Sequence, residues 1–238
     1  MSRHIKYHTL FRLFEVLQPW LKYSLPLEEG LPGDSALVLS PHQDDEAIGC
    51  GGTLVKHTRA GGNAAVVHCT RETAERDQEA SAAAEVLGVR DLITLPFGVE
   101  TLKKQEDLAD RFVEIFEERR PDVVLLPFWL DNHVDHRAVN QALLRLAGKK
   151  TFRFMVYAYP VWFPLHPNLL IDIGPVWEEK KRAILCYRTQ VATRDYVRMS
   201  GSLGQYWAVV KGRNLEMVES FFRATFSEYV SMGRKILG

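Results

Sequence analysis

The sequence predicts a single α/β domain with a mostly parallel sheet flanked by helices. Short apolar runs rich in β-branched residues alternate along the chain with segments of helical periodicity. This alternation is typical of βαβ units, in which successive strands are parallel. The length of 238 residues suits one large domain with its own core. The predicted arrangement is Rossmann-like, and such sheets bind ligands at the carboxyl ends of their strands.

The first 33 residues are predicted to form a helix and a linker. Residues 8–23 carry an apolar stripe at helical spacing, formed by Leu10, Leu13, Phe14, Leu17 and Leu21. We expect this stripe to pack on the domain and not on a membrane, because the opposite face is not rich in lysine and arginine. Residues 26–33 are predicted to be a linker, and the domain proper is assigned to residues 34–238.

The elements of the domain follow in order. Apolar β-prone runs predict four strands, at 36–40, 64–70, 92–97 and 123–128. Helical patterns lie between or after them, near 47–60, 73–87, 103–119 and 136–147. The remaining predicted elements are two shorter strands at 154–159 and 169–173 and two helices at 177–186 and 215–229.

Composition excludes several classes of protein. The 30 basic residues balance the 30 acidic ones, so no overall positive field attracts nucleic acid. The three cysteines are an odd count and argue against a disulfide framework, which favours a reducing compartment, the cytoplasm. No apolar run is long enough to predict a transmembrane segment. Whether the chain forms a homo-oligomer stays open.

A first cluster of chemically active residues follows the first strand of the domain. His42, Asp44, Asp45 and Glu46 lie between this strand and the next helix. His42 and Asp45, three residues apart on a turn, can bind one cation, which leaves Asp44 free beside it. The alternative is a helix cap with a histidine partner. A cap does not need three consecutive acidic residues, whose mutual repulsion is costly, so the pattern favours a metal site.

A second cluster directly follows the strand at 123–128. His133 and His136 are three residues apart at a predicted helix start, with Asp135 between them and Asp131 or Asn132 available as the N-cap. Alone, this pattern could be a solvated helix start. Together with the first cluster it supplies a nitrogen ligand at the same edge of the sheet. Two histidines and one carboxylate, with a position left for water, are typical of catalytic zinc.

These motifs resemble those of a known family. PHQDDEAIG, beginning at Pro41, is followed about ninety residues later by HVDH, beginning at His133. The pair resembles the zinc-dependent de-N-acetylases that include the LmbE-like proteins and the GlcNAc-phosphatidylinositol de-N-acetylases (PIG-L). Weaker echoes are R-x-x-E-A-x-x-A-x-x-x-L-G from Arg76 and K-x-x-A-x-x-x-x-x-T-Q from Lys180. The resemblance extends from about Ala36 to Gln190.

The resemblance implies roles for individual residues. It implies three zinc ligands, His42, Asp45 and His136. It also implies that Asp44 is the general base, and that His133, oriented by Asp135, polarises the amide carbonyl or protonates the leaving amine. Arg76 resembles a family arginine near the sugar. The chain departs from the family pattern at Gln43, at residues 98–100 and at Tyr187, where relatives commonly have Pro, a D-G pair and His.

The leading functional hypothesis is a zinc-dependent hydrolase that removes the N-acetyl group of an N-acetylated amino sugar or glycoconjugate and releases acetate. One alternative is hydrolysis of another amide conjugate, and another is a catalytically idle sugar-binding or scaffold protein. We expect substrate choice to be set by the aromatic loop with Trp162, Phe163 and His166 and by the N-terminal helix.

Overall fold

A computed structural model describes residues 7–17, 24–146 and 150–237. The described residues form one eight-stranded sheet with helices on both faces, which confirms the predicted fold class. The strands are β1 (Leu27–Glu28), β2 (Ser35–Ser40), β3 (Asn63–Thr70), β4 (Asp91–Phe97), β5 (Val123–Pro127), β6 (Met155–Tyr159), β7 (Leu169–Asp172) and β8 (Val218–Thr225).

The strand order in the sheet is β1-β7-β8-β6-β5-β2-β3-β4. Strand β2 pairs in parallel with β3 on one side and with β5 on the other. The β3–β4, β5–β6 and β1–β7 pairs are also parallel, whereas β8 runs antiparallel to both of its neighbours. The carboxyl ends of β2 and β5 therefore lie side by side at one edge of the sheet.

Helices pack on both faces of the sheet. The α-helices of the described residues are α1 (Tyr7–Leu17), α2 (Asp45–Arg59), α3 (Ala74–Leu87), α4 (Leu108–Arg119), α5 (Val134–Arg145), α6 (Trp177–Cys186), α7 (Arg188–Val191), α8 (Tyr196–Val210) and α9 (Phe226–Leu237). Leu37 and Leu39 of β2 pack in the core that includes α4, α5 and α9. Ala36 and Val38 pack on the other face, in the core that includes α2, α3 and α6. Because successive side chains of a strand point to opposite faces of the sheet, β2 contributes apolar side chains to both cores.

The structure corrects the prediction for the end of the chain. The predicted helix at 215–229 is wrong, because these residues contain strand β8 and only the beginning of α9. The first four residues of β8 are buried on both faces, and periodicity alone cannot distinguish a short continuous apolar run from a buried helix.

Helix α8 was not predicted, since its glycines lower helix propensity. Gly204 permits close approach to β8, because a Cβ there would lie 2.7 Å from the Val218 carbonyl oxygen.

The segment predicted as a linker is partly structured. Strand β1, within residues 26–33, pairs with β7. Glu28 also accepts a hydrogen bond from the Tyr157 hydroxyl at 2.9 Å and forms an ion pair with Arg223. Sequence reasoning missed this strand because its two residues are too few to show a period. The division into residues 1–33 and 34–238 stays a prediction.

The described part of the N-terminal helix is more exposed than expected. Within helix α1, the side chains of Leu13, Phe14 and Leu17 are exposed, so they do not show the predicted packing on the domain. Periodicity defined an apolar face but could not specify what covers it. Leu21 lies outside the described residues, as does the side chain of Leu10. Across the described ranges, the model contains no helix with the length and apolar character of a membrane span.

Candidate metal centre and active site

The first cluster lies where β2 ends and α2 begins. Asp45 is the first residue of α2, and its Oδ2 accepts a hydrogen bond from the backbone N–H of His42 at 2.9 Å. This local bond closes the turn and brings the His42 ring to the same carboxylate, with Nδ1 3.1 Å from Oδ2. Both side chains are buried. The structure therefore places His42 and Asp45 together as their spacing predicted.

The second cluster lies at the end of β5, beside the first. Helix α5 begins at Val134, and the N-cap is His133, whose Nδ1 accepts a hydrogen bond from the backbone N–H of Asp135 at 3.2 Å. His136, in the first turn of α5, is fully buried. Because β2 and β5 are neighbours, this turn faces the His42–Asp45 turn.

The two clusters converge on one carboxylate oxygen. Asp45 Oδ2 lies 3.1 Å from His42 Nδ1 and 3.1 Å from His136 Nε2. The fully buried His136 ring has a carboxylate near each nitrogen, Asp45 at Nε2 and Asp131 at Nδ1, but neither contact has good hydrogen-bond geometry. Two imidazole nitrogens beside a carboxylate form a donor set suited to zinc. These three residues therefore fit a divalent cation.

The electrostatics of the cluster also favour a cation. Burial opposes protonation of His42 and His136, but the surrounding carboxylates outweigh it. They raise the pKa of His42 to about 10 and the pKa of His136 to about 9. The positive charge of the two histidines in turn holds the pKa of Asp45 below its usual range despite burial. The carboxylates thus favour positive charge at this point. A metal ion bound there would take the place of the histidine protons.

His133 lies near the same point and offers a second combination of ligands. One ligand atom from each of His42, His133 and His136 lies within 4.8 Å of the others. However, His133 is only partly buried, and its Nδ1 already accepts the Asp135 N–H. Burial and the neighbouring His42 and His136 lower the pKa of His133, which favours a neutral ring, and the residue lines the pocket.

Asp44 and Arg76 occupy the adjoining wall. Burial and the Asp45 carboxylate raise the pKa of Asp44 well above its usual range. Arg76 Nη2 lies 3.7 Å from Asp44 Oδ2, and Arg76 Nη1 lies 3.5 Å from Glu79 Oε2. The guanidinium is buried, yet its Nε and Nη1 atoms make no hydrogen bond. Asp44 is therefore beside the ligand cluster without taking part in it, and Arg76 is held among the carboxylates of Asp44, Glu72 and Glu79 by long ion-pair contacts.

Asp135 contacts both His42 and His133, through different groups. Its carboxylate accepts hydrogen bonds from the backbone N–H groups of Glu100 and Leu102, at 2.6 and 3.3 Å, and its Oδ2 lies 3.0 Å from His42 Nε2. The contact with His133 comes instead from the Asp135 backbone N–H. Asp135 therefore orients His42 through its carboxylate and His133 through its main chain. The carboxylate is directed away from His133 because the loop after β4 supplies two amide donors.

Sequence reasoning missed the role of Asp131, which it considered only as a cap. Asp131 Oδ1 lies 3.3 Å from His136 Nδ1 and accepts the backbone N–H of His133 at 3.0 Å. Its Oδ2 accepts the backbone N–H of Trp162 at 2.9 Å. A carboxylate behind a ligand histidine fixes the orientation of the ring. The signal in the sequence was an aspartate two residues before the first histidine.

Glu46, the last of the acidic run, faces away from this cluster. Its Oε2 accepts a hydrogen bond from Ser40 Oγ at 2.9 Å, and its Oε1 accepts one from the Tyr187 hydroxyl. His68 Nε2 lies 3.5 Å from the same carboxylate. Glu46 is therefore part of a buried polar network under the site, which explains one of the three consecutive acidic residues without a catalytic role.

The cluster opens into a pocket of about 200 Å³. Side chains of both motifs line it together with the aromatic loop and the segment before α8, among them Asp44, Arg76, His133, Trp162, Gln190 and Tyr196. The seven residues to which the family resemblance gives a role thus lie in or directly behind one pocket at the carboxyl ends of the strands. Of the aromatic loop, Trp162 lines the pocket, whereas Phe163 packs against the core and His166 is exposed near Trp207.

Comparison with known proteins agrees with this architecture. Residues 37–147 match the family model PIG-L, GlcNAc-PI de-N-acetylase. This match agrees with the resemblance that the two motifs predicted. Both motifs lie within the matched residues.

The chain is similar to curated proteins that include two deacetylases and one hydratase. It is 29% identical over 184 residues to the diacetylchitobiose deacetylase of Thermococcus kodakarensis, covering 65% of this chain and 69% of that protein. It is 29% identical over 182 residues to a probable N-acetyl-alpha-D-glucosaminyl L-malate deacetylase of Bacillus cereus, covering 65% and 82%. It is also 26% identical over 232 residues to the 4-oxalmesaconate hydratase of Pseudomonas putida, covering 79% and 88%.

A solved structure shares the fold over nearly the whole chain. The N,N'-diacetylchitobiose deacetylase of Pyrococcus horikoshii superposes with a TM-score of 0.68. The match covers 96% of this chain and 97% of that protein at 21% sequence identity. It therefore extends beyond the family match, into the segment that carries β8 and α9.

Proposed function

We propose that this protein hydrolyses the N-acetyl group of an N-acetylated amino sugar or glycoconjugate, with zinc held by His42, Asp45 and His136. The observation that carries the proposal is the shared position of Asp45 Oδ2, 3.1 Å from one nitrogen of each histidine. A second carboxylate, Asp44, which is not one of these three residues, stands beside this set in the same pocket. The deacetylase relatives support the reaction type.

Bound zinc would lower the pKa of a water molecule and polarise the amide carbonyl. Asp44 accepts the proton of the attacking water, because it lines the pocket next to the ligands without being one of them. Its raised pKa, caused by burial and by Asp45, makes it a stronger base than an ordinary aspartate. The proton then moves to the leaving amine.

His133 and Arg76 act on the substrate side. His133 keeps its Nδ1 as an acceptor for the Asp135 N–H, so its Nε2 carries the proton and can donate to the carbonyl oxygen as negative charge develops there. Arg76 lines the pocket, and its Nε and Nη1 make only long ion-pair contacts, with Glu72 at 3.6 Å and Glu79 at 3.5 Å. We assign it to contact with the sugar, as the family motif implied.

The test combines zinc content with acetate release. The purified protein is expected to contain about one zinc per chain and to release acetate from at least one of a panel of N-acetylated sugars. His42→Ala, Asp45→Ala and His136→Ala should each lower zinc occupancy, whereas His166→Ala, which changes an exposed histidine, should not. Full zinc occupancy in all three ligand variants would contradict the assignment.

Arg76→Ala is expected to affect catalysis but not zinc binding. It should lower kcat/KM for the best N-acetylated sugar while zinc content stays that of the unchanged protein, since Arg76 is assigned to the substrate and not to the metal. Loss of zinc in this variant would instead make Arg76 a structural support of the Asp44 turn.

Water addition to a carbon–carbon double bond is a second candidate, because the 232-residue match is to a hydratase. The same base and metal would serve either reaction. Acetate release separates the two directly, since a hydratase releases no acetate. Binding of N-acetylated sugars without turnover on either panel would favour the third hypothesis, an idle binding protein.

A further inference from the structure

Arg76 lines the pocket, but its ion pairs are long. Its nitrogens lie 3.7 Å from Asp44, 3.6 Å from Glu72 and 3.5 Å from Glu79, measured to the carboxylate oxygens. A good N–H···O hydrogen bond is shorter, roughly 2.7–3.2 Å. Attraction between opposite charges has no preferred direction, whereas the donors of a guanidinium form a planar fork that must face its ligand. The three ion pairs therefore keep the charge in place without setting the orientation of the guanidinium.

The ring of Tyr187 lies against this guanidinium. The Cζ atom of Arg76 is over the ring, 5.4 Å from its centroid. The face of an aromatic ring carries negative charge and attracts a cation, and the attraction is strongest where water is absent. Arg76 and Tyr187 are both buried, so this contact is desolvated. The ring thus provides a flat surface that restricts how the guanidinium can turn.

The Tyr187 ring is itself fixed by its hydroxyl. This group donates a hydrogen bond to Glu46 Oε1. Burial and the Glu46 charge raise the pKa of Tyr187 well above its usual range, so the hydroxyl keeps the proton that it donates. The backbone N–H of Glu46 in turn donates to Ser40 Oγ, at the end of β2, at 3.2 Å. The ring is therefore connected to the turn that carries His42 and Asp45.

A second contact joins the segment of Tyr187 to the helix of Arg76. Glu79, in α3, is buried and accepts the backbone N–H of Thr189 at 2.8 Å and the Thr189 hydroxyl at 2.7 Å. Arg76 and Glu79 belong to one of the two weaker motifs in the sequence, and Thr189 belongs to the other. Because Thr189 is two residues after Tyr187, the ring and the guanidinium cannot move apart independently.

The alternative is that Tyr187 only fills space, since it also belongs to the core that includes α2, α3 and α6. The two roles have different requirements. Packing requires a side chain of the right volume, whereas holding a cation requires the electron-rich face of an aromatic ring. A substitution that keeps the volume and removes the aromatic face therefore distinguishes them.

We propose that Tyr187 is a positioning residue, whose ring keeps the Arg76 donors directed at the substrate in the pocket. Tyr187 is not one of the residues that line the pocket, so it acts through Arg76 and not on the substrate itself. This role rests on the proposed deacetylation, in which Arg76 contacts the sugar. Loss of the ring should therefore lower kcat/KM and leave zinc in place.

The test compares Tyr187→Phe, which keeps the ring, with Tyr187→Met, which fills similar space without one. The kcat/KM for the best N-acetylated sugar of the panel is measured by acetate release. Tyr187→Met should lower it about tenfold, the effect of a desolvated cation–π contact, whereas Tyr187→Phe should stay within about twofold of the unchanged protein. Tyr157→Met is the matched control, because Tyr157 is also fully buried and its hydroxyl also donates to a glutamate, Glu28. It should leave kcat/KM unchanged.

A second comparison shows whether the effect passes through Arg76. In the Arg76→Ala background, Tyr187→Met should lower kcat/KM no further, because the ring then has no guanidinium to hold. Equal losses from Tyr187→Met in the two backgrounds would overturn the inference. Equal losses for Tyr187→Met and Tyr157→Met would overturn it as well, since Tyr187 would then act only as a core residue.

A variant of unchanged shape covers the case in which Tyr187→Met does not fold. Pentafluorophenylalanine in place of Tyr187 keeps the ring, while its fluorine atoms withdraw negative charge from the ring face. Relative to Tyr187→Phe, it should lower kcat/KM about tenfold. An unchanged kcat/KM would overturn the inference, because the shape of the ring alone would then be sufficient.

Urea denaturation gives a readout that does not depend on turnover. The double variant Arg76→Ala/Tyr187→Met should lose less stability than the sum of the two single losses, because both single variants remove the same contact. If no sugar in the panel releases acetate, the proposed reaction fails, and this coupling still decides whether the ring holds Arg76. Additive losses would show that it does not, while the deacetylase proposal stands.

Discussion

At the scale of single residues, the site depends on two adjacent aspartates with different surroundings. Asp45 is bound by the His42 backbone and approached by two histidine rings, so it is held ionised and oriented. Asp44 is buried next to it with Arg76 3.7 Å away, and its pKa is raised by burial and by Asp45. Neighbouring carboxylates with such different pKa values are typical of a division between ligand and base.

This division predicts opposite effects for two conservative changes. Asp44→Asn keeps the volume but removes the base, so zinc should stay bound while kcat falls by roughly 10²–10⁴. Asp45→Asn should weaken zinc binding, and added zinc should restore part of the activity. Zinc titration and acetate release on both variants provide the measurement. If Asp44→Asn loses the metal while Asp45→Asn keeps metal and activity, the two roles are exchanged.

At the scale of elements, helix α2 is broken just behind its ligand-bearing first turn. Cys50 has non-helical backbone angles, with φ −140° and ψ 17°. The amides of Gly52 and Thr53, which start the second half, donate to the buried Glu219 carboxylate at 2.8 and 2.7 Å. Lys180 Nζ pairs with the same carboxylate at 2.5 Å. A buried ion pair thus anchors the helix that carries Asp45.

Removing one partner of this pair should be costly. Lys180→Met leaves the Glu219 charge buried without its cation and should lower the free energy of unfolding by about 3–5 kcal/mol. The double variant Lys180→Met/Glu219→Gln should lose less, because the glutamine oxygen can still accept an amide of α2. Lys181→Met, at the next position, changes an exposed pair with Glu178 and should cost at most about 1 kcal/mol.

Urea denaturation of these three variants provides the measurement. Equal losses for Lys180→Met and Lys181→Met would show that burial of the Lys180 pair has no energetic consequence. A double variant less stable than Lys180→Met would mean that the charge of Glu219, and not its hydrogen bonding, stabilises the break in α2.

Helix α1 leads to the opposite expectation. The apolar stripe suggested packing, but Leu13 and Leu17 are 56% and 47% exposed. Leu13→Ser and Leu17→Ser should therefore leave the melting temperature unchanged, whereas Leu143→Ser, at a fully buried position of α5, should lower it strongly. Thermal unfolding by circular dichroism checks both. A clear drop for Leu13→Ser and Leu17→Ser would show that this helix is covered in solution.

At the scale of the whole molecule, the sequence predicted what depends on local pattern. The βαβ strands are buried apolar runs, and the two motifs follow adjacent strands, so both the sheet and the position of the site could be derived. Contacts between segments that are distant in the sequence could not be derived in this way. The Lys180–Glu219 pair spans 39 residues, and the placement of β8 between β6 and β7 depends on closing a long connection. Residence in the cytoplasm and the oligomeric state stay predictions.

Metal binding should be visible in the stability of the whole domain. The site joins the ends of β2 and β5, whose separate turns present His42, Asp45 and His136 at one point only in the folded chain. A ligand that binds only the folded state stabilises it, by about 2.7 kcal/mol at a free concentration of 100 Kd. For a domain of this size, this corresponds to a rise in melting temperature of roughly 5–10 °C. Zinc added to chelator-treated protein should raise the melting temperature by that amount, and chelator should reverse the rise.

His136→Ala should abolish this response to zinc without abolishing folding, whereas Asp44→Asn should retain the response. An equal response to zinc in His136→Ala and in the unchanged protein would show that the stabilising metal binds elsewhere in the chain.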